Sequence, residues 1–345
     1  MMERDRSQGQ LRWLVLLLPW AWFLIRPLHS SFEVVAVGMP LIALVVMLVA
    51  LSILLIRRSL RSILWVVSLA AFFGVALFLP GRPLELAEPA ETARLASVNV
   101  AREWFSYNDI GWLVETEGID LFVASEISDS HDSELRERYG FGISDVIGSD
   151  PNPALSDIGL VDPTEVGPLG FREFDQPSIG VYSNFEIERM EDPLIGIVDG
   201  GLPGFRVRVS ADTGDFILYA LHIPKIGTGS GPYEVGVGEQ RRLVQAIHDA
   251  AEQEDLPVVI AGDLNIVDRG ESYELLTGTF DDAMRQSRWA TPTRGRSLLH
   301  ILLLLRIDHV LISPELCVSE TPQALDVLYT DHSPLLADIG PCQLP

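Results

Sequence analysis

The sequence predicts an α/β domain carried behind two or three transmembrane helices. Three observations predict it. Apolar residues crowd the first 80 positions, in the blocks Leu11–Leu28, Val34–Ile56 and Ser62–Pro80. After residue 93 the chain twice runs helix, breaker, buried strand, acid, ending first at Glu126 and then at Asp263. Six separate apolar strands each carry or end in Asn, Asp, Glu or His.

The second and third blocks are uncharged and long enough to cross about 30 Å of hydrocarbon. Pro19 and Arg26 interrupt the first, which reads as a span, a signal anchor or an interfacial helix. Arg57, Arg58 and Arg61 crowd the short link between the second and third blocks, and Arg4, Arg6 and Arg12 precede the first. Basic short loops stay on the cytoplasmic side, so everything after Pro80 is expected outside: a multi-pass cell-membrane protein with an extracytoplasmic domain.

Residues 1–80 carry seven arginines against Glu3, Asp5 and Glu33, a net of +4, which leaves −27 on the remainder of a chain whose total is −23. Lys225 is the one lysine. A nonspecific DNA binder presents a basic face, because phosphate neutralisation supplies most of that affinity. The acidic domain does not look like that design, a local arginine patch aside, and reads as a solubilised surface. Cys317 and Cys342 can pair outside the cell or stay as two thiols; two cysteines make neither a disulfide framework nor a metal site.

Residues 81–93 are rich in Pro, Ala and Glu and read as a tether, followed by a folded domain over 94–345. Arg94–Val100 is a strand, Asn108–Thr116 a helix broken by Gly118, and Leu121–Ala124 a short buried strand. Gln240–Glu252 places Leu243, Val244, Ile247, Ala250 and Ala251 on one helical side, before Pro257 and the strand VVIAGDLN. Residues 140–175 are turn-rich and read as rim loops or an insertion. SLLHILLLL at 297–305 reads as a buried strand, or as a lipid-facing loop beside the site.

The polar interruptions are Asn99 in LASVNV, Glu126 in LFVASE, His222 in FILYALH, Asp263 and Asn265 in VVIAGDLN, Asp308 in LLLLRIDHVLI, and Asp331 with His332 in YTDHSPLLADI. No G-x-S-x-G elbow, H-E-x-x-H, C-x-x-C or P-loop occurs, which removes the usual signals of serine hydrolases, zincins and P-loop enzymes. The oxygen-rich donor set suits Mg²⁺ or Mn²⁺ better than zinc. Each residue also has a plainer reading. Asn99 is a strand-end turn residue, His222 a core histidine, Asp308 a partner for Arg306 or Arg294, and Asp331-His332 an Asx-type turn. His309 and His300 read as structural, His131 and His248 as surface, and Lys225 as solvated.

Six motifs in order resemble the endonuclease/exonuclease/phosphatase superfamily with its deoxyribonuclease-I-like fold. They are LASVNV, DLFVASE, LH at 221–222, GDLN at 262–265, RIDHVLIS at 306–313 and TDHSPLLADI at 330–339. The resemblance spans 94–339. It implies a four-layer sandwich, two packed mixed β-sheets flanked by helices. It also implies roles. Glu126 is the principal metal ligand, with Asn99 as a direct or water-mediated partner, and Asp331 holds the metal or its waters. His332 activates water or stabilises developing charge, and Asp308 orients it. Asp263 aligns or deprotonates the attacking water, Asn265 donates to a phosphate oxygen, and His222 contacts the phosphate from the other side. The chain departs from the pattern at Ser183-Asn184, where members often show Ser-Arg.

The implied activity is a metal-dependent phosphodiesterase or nuclease-like hydrolase, tethered to the bilayer by its N-terminal helices. Its substrate would be a phosphoester in nucleic acid, a lipid head group or a small molecule. The acidity weighs against duplex DNA. The alternative is a membrane-anchored binding or sensory module on the same fold, marked by a broken set of site residues; here every matched position is filled.

Overall fold

A computed structural model describes residues 19–29, 31–78, 92–100, 113, 116–127, 143–147, 179–190, 204–227, 234–285, 292–294, 302–319, 323–325 and 330–342. Two long apolar helices open the described chain: α1 (Phe32–Arg57) and α2 (Leu60–Phe78). Both pass the length and hydropathy test for a membrane span. They pack together through Met39, Ala43, Leu69, Phe72, Phe73 and Ala76. Large apolar side chains such as Val45, Leu48, Leu55 and Ile56 stay exposed on the outside of the pair. Of the first apolar block, residues 11–18 lie outside the described residues. Pro19–Leu28 forms a 3-10 turn, one α-turn and another 3-10 turn.

The domain that follows has two mixed sheets. The first runs β13 (Leu316–Val318), β15 (Leu335–Pro341), β1 (Ala93–Asn99), β2 (Leu121–Ser125), β4 (Ile179–Ser183), β3 (Ile143–Ile147), with β14 (Gln323–Ala324) also on β15. The second runs β11 (Asp281–Asp282), β12 (Asp308–Ile312), β10 (Val258–Asp263), β7 (Gly214–His222), β6 (Gly204–Ala211), β5 (Glu186–Arg189). A short ribbon, β8 (Lys225–Ile226) with β9 (Glu234–Val235), stands apart.

Both sheets contain the same core. β1 and β2 are parallel, with an antiparallel neighbour on each side, β15 and β4. β7 and β10 are likewise parallel, flanked by antiparallel β6 and β12. The repeated helix–strand–acid unit therefore corresponds to two related halves. A parallel pair needs a helical crossover. In the second half that crossover is α3 (Val237–Ala251), within three residues of the helix expected at 240–252. In the first half Leu113 and residues 116–117 are helical, and the rest of the 108–116 segment lies outside the described residues.

Three apolar layers separate four layers of structure. Val123, Val181, Phe205, Leu218, Val259 and Val310 fill the space between the sheets. Leu243, Val244, Ile247 and Leu276 of α3 and α4 (Glu271–Thr277) pack on the outer face of the second sheet. Leu113 and Ile119 cover the first, against Phe122 and Tyr182. The four-layer sandwich holds.

Several local expectations are corrected. The turn-rich 140–175 stretch contributes an edge strand, β3, where residue 179 pairs with residue 147. Of the 297–305 run, residues 297–301 lie outside the described residues, and 302–305 form a helical turn instead of a strand, with Leu305 packed against Ala36, Val267 and Ile307. His248 is buried and bonds the Thr279 hydroxyl at 3.0 Å. Cys317 and Cys342 form a disulfide that ties β13 to the end of β15. His309 is structural as expected, fully buried and bonded to the Ile266 carbonyl at 2.9 Å. Lys225 is solvent-facing, 3.9 Å from Glu234. His131 and His300 lie outside the described residues.

The glycine of GDLN has a steric reason. Gly262 takes φ +139°, and a Cβ there would lie 1.9 Å from the Leu221 carbonyl oxygen. Neither the conformation nor the space admits a side chain. Gly262→Ala is expected to cost about 3 kcal/mol or more through combined strain and overpacking. A urea midpoint equal to that of the wild type would contradict this.

Candidate active site

The register of the strands brings the polar interruptions to one rim. Asn99 ends β1 beside Ser125 at the end of β2, and Glu126 follows. His222 ends β7 opposite Asp263 at the end of β10, and Asp308 opens the antiparallel β12 on the other side of Asp263. Thr330, which donates to the Asn99 carbonyl at 2.7 Å, ties the Asp331-His332 turn to the same edge. All eight residues singled out in the sequence reach this rim.

Asp263 Oδ2 is the hub. Asn99 Nδ2 donates to it at 2.9 Å and to Glu126 Oε1 at 3.1 Å, so one amide bridges two carboxylates. His222 Nε2 stands 3.7 Å from both acids, and His332 Nε2 stands 3.9 Å from Asp263 Oδ2. On the far side of its ring, His332 Nδ1 faces both oxygens of Asp308, at 3.0 and 2.8 Å. That contact fixes the ring and places the Nδ1 hydrogen toward Asp308. Asp308 is therefore not a partner of Arg306 or Arg294. Arg306 pairs with Asp282 at 2.7 Å, and Arg294 with Asp331 at 3.0 Å.

Burial sets the electrostatics. Asp263, Asp308 and His332 are each at most 3% exposed. Desolvation lifts Asp263, the Asp308 charge lifts it further, and its carboxyl reaches about 7. Burial also disfavours the His332 imidazolium, but Asp308, with help from Asp263, outweighs that and raises it to about 9. Glu126 differs: its side chain is one-third exposed, and its backbone adopts φ +56°. A left-handed non-glycine residue costs on the order of 1–2 kcal/mol, and here it turns the carboxylate to the rim.

Asn265 is also left-handed, at φ +49°. Its backbone N–H donates to Asp263 Oδ1 at 3.0 Å and its Nδ2 to the Ile223 carbonyl at 2.9 Å. The Asp263–Asn265 turn is thus closed locally, and one amide hydrogen remains.

Sequence reasoning missed Thr293, and offered Arg294 only as a partner for Asp308. Thr293 Oγ1 accepts the backbone N–H of Ile307 and Asp308, seating the start of β12. Arg294 forms the bridge between Leu305 and His332 as well as the ion pair with Asp331. Neither residue breaks an apolar run, so no pattern in the sequence marked them. The Ser183-Asn184 departure falls elsewhere. Ser183 pairs with Leu121, at the opposite end of β2 from Glu126, so no contact is lost from this rim.

Two sheets packed face to face, with acid, amide and histidine at the shared strand ends, define the deoxyribonuclease-I-like class of fold. The chain belongs to the Endonuclease/Exonuclease/phosphatase family, whose model matches residues 98–332. No curated protein matches the sequence. Among solved structures it is similar to an endonuclease/exonuclease/phosphatase from Bacteroides vulgatus, at 17% identity and a TM-score of 0.50, covering 72% of this chain and 99% of that one. It is also similar to a humanized D. rerio TDP2, at 14% identity and a TM-score of 0.52, with the same coverage. D. rerio TDP2 complexed with a single-strand DNA product matches at 12% identity, a TM-score of 0.52, and coverage of 72% and 99%.

Proposed function

We propose that the chain is a membrane-anchored, divalent-metal-dependent phosphoesterase that hydrolyses a phosphodiester by attack of an activated water. The observation that carries this is the Asp263 hub, with His222 and His332 flanking one buried carboxylate in a family member.

The donor set fits a hard cation. The partly exposed carboxylates Glu126 and Asp331 stand at the rim, beside the Asn99 amide. Oxygen ligands and solvent access suit Mg²⁺ or Mn²⁺, which keep several waters. A tighter geometric group, Asp263, Asp308 and His332, also exists. Its atoms are already committed: Asp308 to His332, and Asp263 to Asn99 and Asn265. Glu126 and Asp331, the carboxylates of the rim that reach solvent, with Asn99 beside Glu126, are the holders this reading assigns. A bound divalent ion supplies Lewis-acid stabilisation of phosphate charge.

The chain's own groups do the rest. With its acidity near neutral, Asp263 is poised to take a proton from water, because a general base works best near the operating pH. His332, held as imidazolium by Asp308, donates from Nε2 to a phosphate oxygen instead of acting as base. His222 faces the same point, and the remaining Asn265 amide hydrogen serves a phosphate oxygen that another acid would repel.

The anchor reading rests on α1 and α2. The catalytic domain touches the Phe32 end of α1, whereas Arg57, Arg58 and Arg61 lie at the other end, as an extracytoplasmic domain requires. The Cys317–Cys342 disulfide fits an oxidising compartment. A C-terminal alkaline phosphatase fusion is expected active and a fluorescent-protein fusion dark; the reverse pattern would overturn the orientation.

For substrate, membrane seating favours lipid head groups or small phosphodiesters, and the −27 carried by residues 81–345 weighs against duplex DNA. The full-length protein should be screened against bis-p-nitrophenyl phosphate, sphingomyelin, inositol phosphates and plasmid DNA, with Mg²⁺, Mn²⁺ or EDTA. Turnover is expected with metal and absent with EDTA. Turnover that persists in EDTA would sink the metal-dependent mechanism.

A further inference from the structure

Arg269 lies six residues past Asp263, on the segment that leaves β10, and is only 4% exposed. Its guanidinium reaches four backbone carbonyls. Nε donates to Ala36 at 2.6 Å, and Nη2 to Val37 at 3.1 Å, both in α1. Nη2 also donates to Leu303 at 2.9 Å and Nη1 to Leu304 at 3.2 Å, just before β12.

The Ala36 carbonyl is available for a reason written in the sequence. Its helical partner would be the N–H of residue 40, and residue 40 is proline, inside α1. Arg269 satisfies the acceptor that Pro40 leaves open. Nearby, Glu33 Oε1 accepts from the Ser272 backbone N–H at 2.7 Å and from its hydroxyl at 2.9 Å. Gly270 leaves room for the Glu33 carboxylate, since a Cβ there would lie 2.2 Å from Glu33 Oε2. Arg26 pairs with Glu271 at 3.0 Å and with Glu274. Ala36, Val267, Leu305 and Ile307 fill the space between.

The two segments gripped here are the ones that carry the site. Residues 264–269 continue from Asp263, and residues 303–307 lead into Asp308. Leu264 N–H donates to the Ile307 carbonyl at 3.0 Å, extending the ladder between them. The geometry points to α1 as a positioning element for the catalytic rim: Glu33, Pro40 and Arg269 clamp both strand extensions and so hold Asp263 and Asp308 at their spacing around His332. A passive anchor requires no such polar fit between helix and domain. The proposal rests on the phosphoesterase reading for its kinetic consequence, and on the contacts alone for the clamp.

The test uses the full chain in lipid nanodiscs, with bis-p-nitrophenyl phosphate turnover and amide exchange over residues 264–272 as readouts. Arg269→Ala is expected to lower kcat about 10–100-fold with KM changed less than about twofold, since small misplacements of reacting groups have effects of that order. Exchange over 264–272 should quicken. Arg269→Lys should recover part of kcat. Pro40→Ala, which returns an N–H to the Ala36 carbonyl, should lower kcat several-fold and carries the test if Arg269→Ala does not fold. Arg57→Gln, at the far end of α1, should change neither readout. Quickened exchange with unchanged kcat would make the dock purely structural and overturn the positioning role. Unchanged exchange in both Arg269→Ala and Pro40→Ala would overturn the clamp itself. A wild type that hydrolyses no phosphoester overturns the phosphoesterase reading instead, and the exchange data still decide the clamp.

Discussion

Asp263→Asn abolishes turnover while leaving the fold intact: kcat/KM falls by about 10²–10⁴-fold, and the melting temperature stays within a few degrees of wild type. The size of the loss is that of removing a positioned general base. The stability expectation comes from two opposed effects of similar magnitude. Asparagine keeps one acceptor where the carboxylate had two, one for Asn99 and one for the Asn265 N–H. Leaving one donor unmatched costs about 1–3 kcal/mol. Against that, the substitution removes a charge that burial and Asp308 both disfavour. Relief of a buried like-charge contact is of the same order. A residue kept only for structure would lose stability together with activity. Unchanged turnover in the folded variant would remove Asp263 from the mechanism.

The sequence was legible where a polar residue broke an apolar run. GDLN, RIDH and TDH stood out because Asp263, Asp308 and His332 follow or open strands too apolar to carry charge without a purpose. The repeat of helix, breaker, strand and acid was legible too, because each half builds a parallel pair that needs a crossover helix. Illegible features share a different cause: they depend on partners far away in sequence. β3 hides in a turn-rich stretch because an edge strand is specified by its neighbour β4 more than by its own pattern. The run before Arg306 was greasy enough to suggest a strand, yet its described part, residues 302–305, packs as a turn against α1. The clamp on Ala36 was invisible because its acceptors are backbone carbonyls, and Pro40 looked like one more residue of an apolar helix. Spacing alone could not bring Cys317 to Cys342, whose Cα atoms prove to be 4.9 Å apart.

Asp308→Asn tests which proton each group carries. In the wild type, kcat/KM should rise with pH as Asp263 ionises near 7, and fall as His332 loses its proton near 9. Burial opposes the imidazolium, so the raised value exists because Asp308 faces Nδ1 with both oxygens. An amide in its place removes the attraction and leaves the desolvation. The alkaline limb should therefore move to lower pH, toward or below the ordinary histidine value of about 6.5. The same change removes a like charge from beside Asp263, so the acidic limb should move down as well. Both limbs shift in one direction, for opposite electrostatic reasons. At pH 8 the variant's His332 is neutral, so the charged donor to phosphate is lost and turnover should drop by about 10²-fold or more. If His332 were instead the general base, a lower value would extend its neutral form toward acid pH, and the variant would keep or gain relative activity near pH 6–7 without losing its alkaline side. An alkaline limb still at 9 in Asp308→Asn would show that Asp308 does not hold the proton on His332, and the division of labour between the two would have to be reversed.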